Sequence, residues 1–190
     1  MILTKNIDSI FLDRDGVINI DEGYTYKWSQ FEFIEGVIEA LQHLKNLGKN
    51  LIIVTNQSGI ARGYYTRKDY LQLEAMMLNE MKSFGIDILD VYHCPHHIDG
   101  IVPSLSIPCS HRKPSPGMIL SAIRDHGLDP SRSIIIGDKE SDIEAGENAK
   151  LAGKYLINSN HHNHEFRSTA DAVYQSLNDL VTNAFELKND

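Results

Sequence analysis

Three apolar runs, each broken off by polar residues, constrain this chain more than any other feature. They are "SIFLDRD" from Ser9, "LIIVTN" from Leu51 and "SIIIGD" from Ser133. A short apolar run without alternation is the pattern of a strand covered on both faces. Between the runs the period changes. Val37, Ile38, Leu41, Leu44 and Leu47 recur at helical spacing before Gly48, and Tyr70, Leu73, Met77, Met81 and Phe84 do so between a Thr66/Asp69 capping box and Gly85. The methionines of that stripe read as core packing. Further strands are expected over 88–94 and around 154–157, and further helices over 117–127, about 141–149 and about 172–187. Strands alternating with helices predict an α/β fold, a Rossmann-like parallel sheet between two helical layers with right-handed crossovers. The 190 residues suit a single domain, 1–190.

The bulk chemistry narrows the partners. A formal net charge of -8 disfavours a nucleic-acid or anionic-membrane surface, but leaves room for a local cation cluster that holds a small anion. No run of about 18 apolar residues is present, so no transmembrane helix is expected, and the amino terminus lacks the pattern of a secretory signal. A cytoplasmic protein is expected. No long exposed apolar stripe calls for a partner chain, so a monomer is expected as well.

In an open parallel sheet, ligands sit beyond the carboxyl ends of the strands. Asp13 and Asp15 follow the first run, Thr55 and Asn56 end the second, and Asp138 ends the third, with Asp142 close behind. All of them fall at one sheet edge. Carboxylates gathered there raise one another's pKa unless a cation joins them. Oxygen-only ligands with room for water favour Mg²⁺. The Thr55 hydroxyl and Lys113, in "HRKPSPG", suit a phosphoryl group.

The segments "DRDGV", "VTNQS", "RKP" and "GDKESD", in this order, resemble the four motifs of the haloacid dehalogenase superfamily of phosphohydrolases. The resemblance implies that Asp13 attacks phosphorus and forms an aspartyl-phosphate, and that Asp15 serves as general acid and then as general base. It implies that Thr55 and Lys113 hold the phosphoryl oxygens, and that Mg²⁺ sits between Asp13, the backbone carbonyl of Asp15, and Asp138. Asp142 would support this sphere through water or Lys139. The gap between Asp15 and Thr55 is too short for a cap domain, so loops would select the substrate.

A second metal pattern lies just ahead of the lysine motif. Cys94-x-His96 and Cys109-x-His111 offer two thiolates and two imidazoles, the donor set of a closed tetrahedral zinc site. The loop of about 94–111 has little core-forming pattern, and structural zinc would replace the core it lacks. His93 and His97 are alternatives to His96. The loop is similar to that of a branch of the superfamily acting on heptose bisphosphates and histidinol phosphate, with His111 where that branch has Cys. "DEGYTY" and "TNQSGIARGYY" point to the heptose side of the branch. The resemblance then implies a small phosphorylated sugar as substrate. Asp21, Glu22, Gly23 and Tyr24 would lie beside the sugar, Asn56, Gln57 and Ser58 near the phosphate, and Arg112 and Lys139 on the remote phosphate or hydroxyls. A histidinol-phosphate phosphatase, and a sugar-phosphate-binding module without turnover, are the rival readings. The tract His161, His162 and His164 reads as a solvated loop.

Overall fold

A computed structural model describes residues 7–158 and 168–185, so the histidine tract and the expected helix end at 186–187 lie outside the described residues. Six parallel strands form one sheet in the order β3-β2-β1-β4-β5-β6. They are β1 (Ser9–Leu12), β2 (Asn50–Asn56), β3 (Asp90–Cys94), β4 (Ser133–Gly137), β5 (Gly153–Ile157) and β6 (Ala172–Tyr174). The helices are α1 (Val37–Asn46), α2 (Arg67–Ser83), α3 (Gly117–His126), α4 (Glu140–Asn148) and α5 (Leu177–Ala184).

The two-residue period of the strands divides the core into two layers. Ile10, Leu12, Leu51, Ile53, Ile134 and Ile136 face one side, where Leu41 and Leu44 of α1, Met77 and Met81 of α2, and Leu180 of α5 cover them. Phe11, Ile52, Val54 and Ile135 face the other, against Met118, Ile119 and Ala122 of α3 and Ala145 of α4. The methionines of α2 are core residues, as expected. Its start is the expected capping box, with Thr66 Oγ1 accepting from Asp69 N and Asp69 Oδ2 accepting from Thr66 N.

One expected element is corrected. The helix expected over 172–187 is a strand followed by a shorter helix. Ala172, Val173 and Tyr174 pair with β5, with Val173 exposed between two partly buried neighbours, the alternation of an edge strand. Ser176 then caps α5 by accepting from Asp179 N at 3.0 Å. The helix therefore begins only at Leu177.

The strand order puts β1 between β2 and β4, in register with both: Leu12 pairs with Ile53 and with Ile136. The ladder continues through Asp13, whose N–H donates to Ile136 O at 2.9 Å. Between Asp15 and Thr55 the chain holds only a 3-10 turn (Trp28–Gln30) and α1 as helical elements. No inserted domain covers the strand ends there.

Candidate active site

The polar residues that end β1 and β2, with Lys139 and Ser141 beyond β4, surround a cavity of about 360 Å³ at the carboxyl edge of the sheet, and Asp138 lies outside its lining. Asp13, Asp15, Thr55, Asn56, Gln57, Ser58, Lys113 and Lys139 all line it, and so do Asp21, Gly23, Tyr24 and Arg112. Glu22 is exposed and stays outside the lining.

Lys113 is the knot of the floor. Its ammonium is buried, 2.9 Å from Asp13 Oδ1 and 2.7 Å from Val54 O, and it pairs with Asp142 Oδ1. Two carboxylates and one carbonyl thus surround the charge. The backbone of Lys113 is fixed as well: its N–H donates to Asn56 Oδ1 and its carbonyl accepts from Asn56 Nδ2, both at 3.1 Å. Asn56, expected on the substrate, thus also holds the lysine motif in place. Asp142 pairs directly with Lys113, and its Oδ2 accepts from Lys139 N at 3.1 Å at the start of α4.

Asp13, Asp138 and Asp142 bring carboxylate oxygens within 4.8 Å of one another. Two glycines make this approach possible. A Cβ at Gly16 (φ +84°) would collide with the Asp138 carboxylate, and one at Gly137 with Asp142. Burial, and then the neighbouring Asp13, push Asp138 up to about 8, while burial raises Asp13 to about 6 against the pull of Lys113. Asp138 Oδ1 is buried with no hydrogen-bond donor. A buried carboxylate oxygen without a donor, facing other carboxylates, is what a hard cation would satisfy. The donor set fits Mg²⁺.

Asp15 is held quite differently. Arg14 donates to its carboxylate from Nε at 3.2 Å and from Nη2 at 2.8 Å, Asn19 Nδ2 donates at 3.1 Å and Gln57 Nε2 at 3.0 Å. Burial alone would raise the Asp15 pKa, but the Arg14 charge and these donors outweigh it and hold the carboxyl below the usual range. Asp15 is therefore a base as found. Gln57 also donates to Thr55 Oγ1 at 2.9 Å and accepts from Tyr65 OH at 2.6 Å, which fixes which way its amide points.

Arg14, Asn19, Tyr65 and Ser141, which also lines the cavity, carry no role in the sequence reading. Arg14 had a signal: a cation between two carboxylates, followed by an apolar stretch, needs a buried partner. It is 2% exposed, and its Nη2 also reaches Thr25 O at 3.1 Å. Tyr65 had none: its hydroxyl reaches Gln57 within its own loop, and its stacking partner Tyr26 comes from another.

In the second cluster, Cys94, His96 and Cys109 bring their donor atoms within 4.8 Å of one another. His111 does not join them. Its Nε2 lies 3.2 Å from Ser121 Oγ on α3, and only its backbone N–H reaches Cys109 Sγ, at 3.4 Å. The expected four-ligand set is thus assembled to three, because α3 offers the imidazole a hydroxyl on the outer side of the turn. Neither alternative histidine competes with His96. His93 packs on the Tyr70 ring at 4.4 Å, where burial lowers it to about 4, and His97 lies 3.1 Å from Arg62 Nη2. Two thiols and an imidazole in a core-poor loop fit zinc. Both cysteines are free.

Residues 10–84 match the family model described as haloacid dehalogenase-like hydrolase, and residues 110–180 match a second, HAD-hydrolase-like model. The chain is 49% identical over 157 residues to the D-glycero-alpha-D-manno-heptose-1,7-bisphosphate 7-phosphatase of Photorhabdus laumondii, covering 83% of this chain and 86% of that one. It is 42% identical over 180 residues to the D-glycero-beta-D-manno-heptose-1,7-bisphosphate 7-phosphatase of Escherichia coli, covering 94% of each. The crystal structure of D,D-heptose 1,7-bisphosphate phosphatase from B. bronchiseptica, complexed with magnesium and phosphate, superposes with a TM-score of 0.81 at 25% identity, covering 93% of this chain and 97% of that one.

Proposed function

The chain belongs to the haloacid dehalogenase-like hydrolases, and on that premise we propose that it is a phosphatase removing the 7-phosphate of D-glycero-D-manno-heptose 1,7-bisphosphate, in heptose supply for surface polysaccharide. The observation that carries the reading is the floor of the cavity, where Asp13, Lys113 and Asp142 form one buried ionic knot beside Asp138, whose Oδ1 has no donor.

In this reading Asp13 Oδ attacks phosphorus, the bond to the C7 oxygen breaks, and Asp15 delivers a proton to that oxygen. Water then attacks the aspartyl-phosphate, the phosphorus–Asp13 bond breaks, and Asp15 takes up the proton of the water. The ionised Asp15 serves this second half directly and then returns the proton to solvent; in the first half the anionic substrate beside it raises its pKa, so that it binds the proton it delivers. Thr55 and Lys113 face the phosphoryl oxygens. Asp13, Asp138 and the Asp15 carbonyl would hold Mg²⁺, which supplies charge neutralisation between a carboxylate and an anionic phosphate. Arg112 and Lys139 also line the cavity, as cations for a second phosphate or for hydroxyls. Cys94, His96 and Cys109, with His111 or another fourth donor, would hold one structural zinc.

No helix among the described residues is long and apolar enough to cross a membrane. The reading is of a monomeric cytoplasmic enzyme, one domain over 1–190, with no nucleic acid or membrane among its partners. A panel of phosphorylated substrates with Mg²⁺, including both heptose bisphosphate anomers and histidinol phosphate, tests the assignment. The highest kcat/KM is expected on a heptose bisphosphate. A maximum on histidinol phosphate overturns the sugar, and the absence of any phosphate release that depends on Asp13 overturns turnover in favour of a binding module.

A further inference from the structure

Two aromatic rings stand at the mouth of the cavity with no part in the chemistry described above. Tyr24 and Tyr64 are 43% and 55% exposed, yet their ring centroids lie 4.5 Å apart at 58°. Just behind them Tyr26 and Tyr65 stack at 5.1 Å and 11°. That inner pair belongs to a small core cluster with Ile60 and Tyr70 and already joins the two loops. The outer pair is outside the cluster, so burial in a core does not account for it. Apolar surface left in water beside a polar cavity has a use when a ligand covers it.

The backbone points the same way. Tyr24 has φ +55°, which bulky side chains avoid, directly after Gly23 at φ +82°. This turn leaves Tyr24 in the lining of the cavity, together with Arg112 and Lys139. Tyr64 is not in the lining. Its ring meets Tyr24 and its own N–H donates to Gly59 O at 2.9 Å, while its neighbours Ala61 and Gly63 lean on the metal loop. Ala61 O accepts from Ile101 N at 2.8 Å and from Val102 N at 3.0 Å, and a Cβ at Gly63 would come within 2.8 Å of Ile101 Cδ1. Position is therefore passed from the metal loop to residues 61–64, and from Tyr64 to Tyr24.

We propose that Tyr64 is a positioning residue for substrate specificity, holding the Tyr24 ring at the cavity mouth as a wall for the C–H face of a bound sugar ring. The inference deepens the sugar-phosphatase reading and rests on it. An aromatic ring offers such a face at low entropic cost, and a polar ligand needs few apolar contacts of this kind to be oriented.

Steady-state kinetics on Tyr64→Ala and Tyr64→Phe test it, with heptose 1,7-bisphosphate as the ring substrate and glycerol 2-phosphate as the ringless one. For Tyr64→Ala, KM on the sugar is expected to rise about three- to tenfold with kcat within about twofold, the scale of one aromatic pair. KM on glycerol 2-phosphate should not move, and Tyr64→Phe, which keeps the ring, should behave as wild type. An unchanged sugar KM, an equal loss on both substrates, or a Phe variant as impaired as Ala overturns the proposal. Wild-type turnover of the heptose bisphosphate tests the substrate reading by itself. If that turnover is absent, the same comparison on the sugar phosphate that the wild type hydrolyses best still decides the role of Tyr64.

Discussion

At the floor of the cavity, Asp13 just beyond β1, Asp142 in the first turn of α4 and Lys113 on the loop before α3 are all buried, and each charge has an opposite partner at bonding distance. At the rim, Tyr24 and Tyr64 sit half in water on loops, and Arg112 has a backbone carbonyl, His96 O at 3.3 Å, as its side-chain hydrogen-bond partner. The floor is fixed by the core on both sides of the sheet. The rim is fixed by loops leaning on loops, among them the loop that carries His96 and Cys109. Chemistry and selection are thus placed on supports of different stiffness, and substitutions should separate them.

The largest separation is expected from Asp13→Asn. Removing the nucleophile should lower kcat by about 10⁴-fold or more, measured as phosphate release, with the fold intact by circular dichroism. Retained turnover would dissolve the assignment of the floor. Asp142→Ala comes next. It leaves Lys113 buried with one carboxylate fewer, a loss of about 3–5 kcal/mol, read as a lower urea midpoint at unchanged slope. A shift smaller than about 1 kcal/mol would mean that the knot is not a unit. At the rim, Cys109→Ser should abolish one equivalent of bound zinc by elemental analysis and raise KM several-fold while leaving kcat nearly intact. A fully folded wild type without zinc, or a kcat loss as large as the KM effect, would erase the distinction between floor and rim.

The smallest expected effect concerns pH. Asp138 and Asp13 have folded-state pKa values raised above the ordinary carboxylate range, to about 8 and about 6. The metal-free protein therefore keeps protons that the unfolded chain releases from about pH 4 upward, so its stability falls as pH rises through that window. The depressed Asp15 acts oppositely, but loses its contribution only below about pH 4. Mg²⁺ replaces the retained protons, so its gain in Tm should be larger at about pH 8 than at about pH 5.5. Equal gains at both values would count against a cation between these carboxylates.

Asp13, Thr55 and Asp138 were legible in the sequence because they end apolar runs with the pattern of buried strands, whose ends a parallel sheet sends to one edge, whereas Lys113, on a loop, was marked only by its motif. What escaped depends on contacts between distant segments. Asp142 looked like a helper at one remove, since only the fold reveals that Lys113 arrives beside it. His111 has the right chemistry and spacing, but a serine on α3 turns it outward. Tyr64 and Tyr65 stand adjacent in the chain, yet one is buried behind Gln57 and the other exposed at the mouth. The misread strand β6 is three residues long, too short for a period to declare itself, though Ser176 and Asp179 mark the helix start just beyond it.

The central place of β1 has a consequence for how the molecule comes apart. Its backbone is hydrogen-bonded to β2 on one side and β4 on the other, and side chains on both faces are covered. The amide of Asp13 should therefore be among the last to exchange with deuterium, released only when the whole sheet opens. Loops at 21–26 and 98–107 can open long before that. Mild heating or loss of the loop metal should then leave a protein that still cleaves simple phosphate esters but has forgotten which sugar it was built to choose.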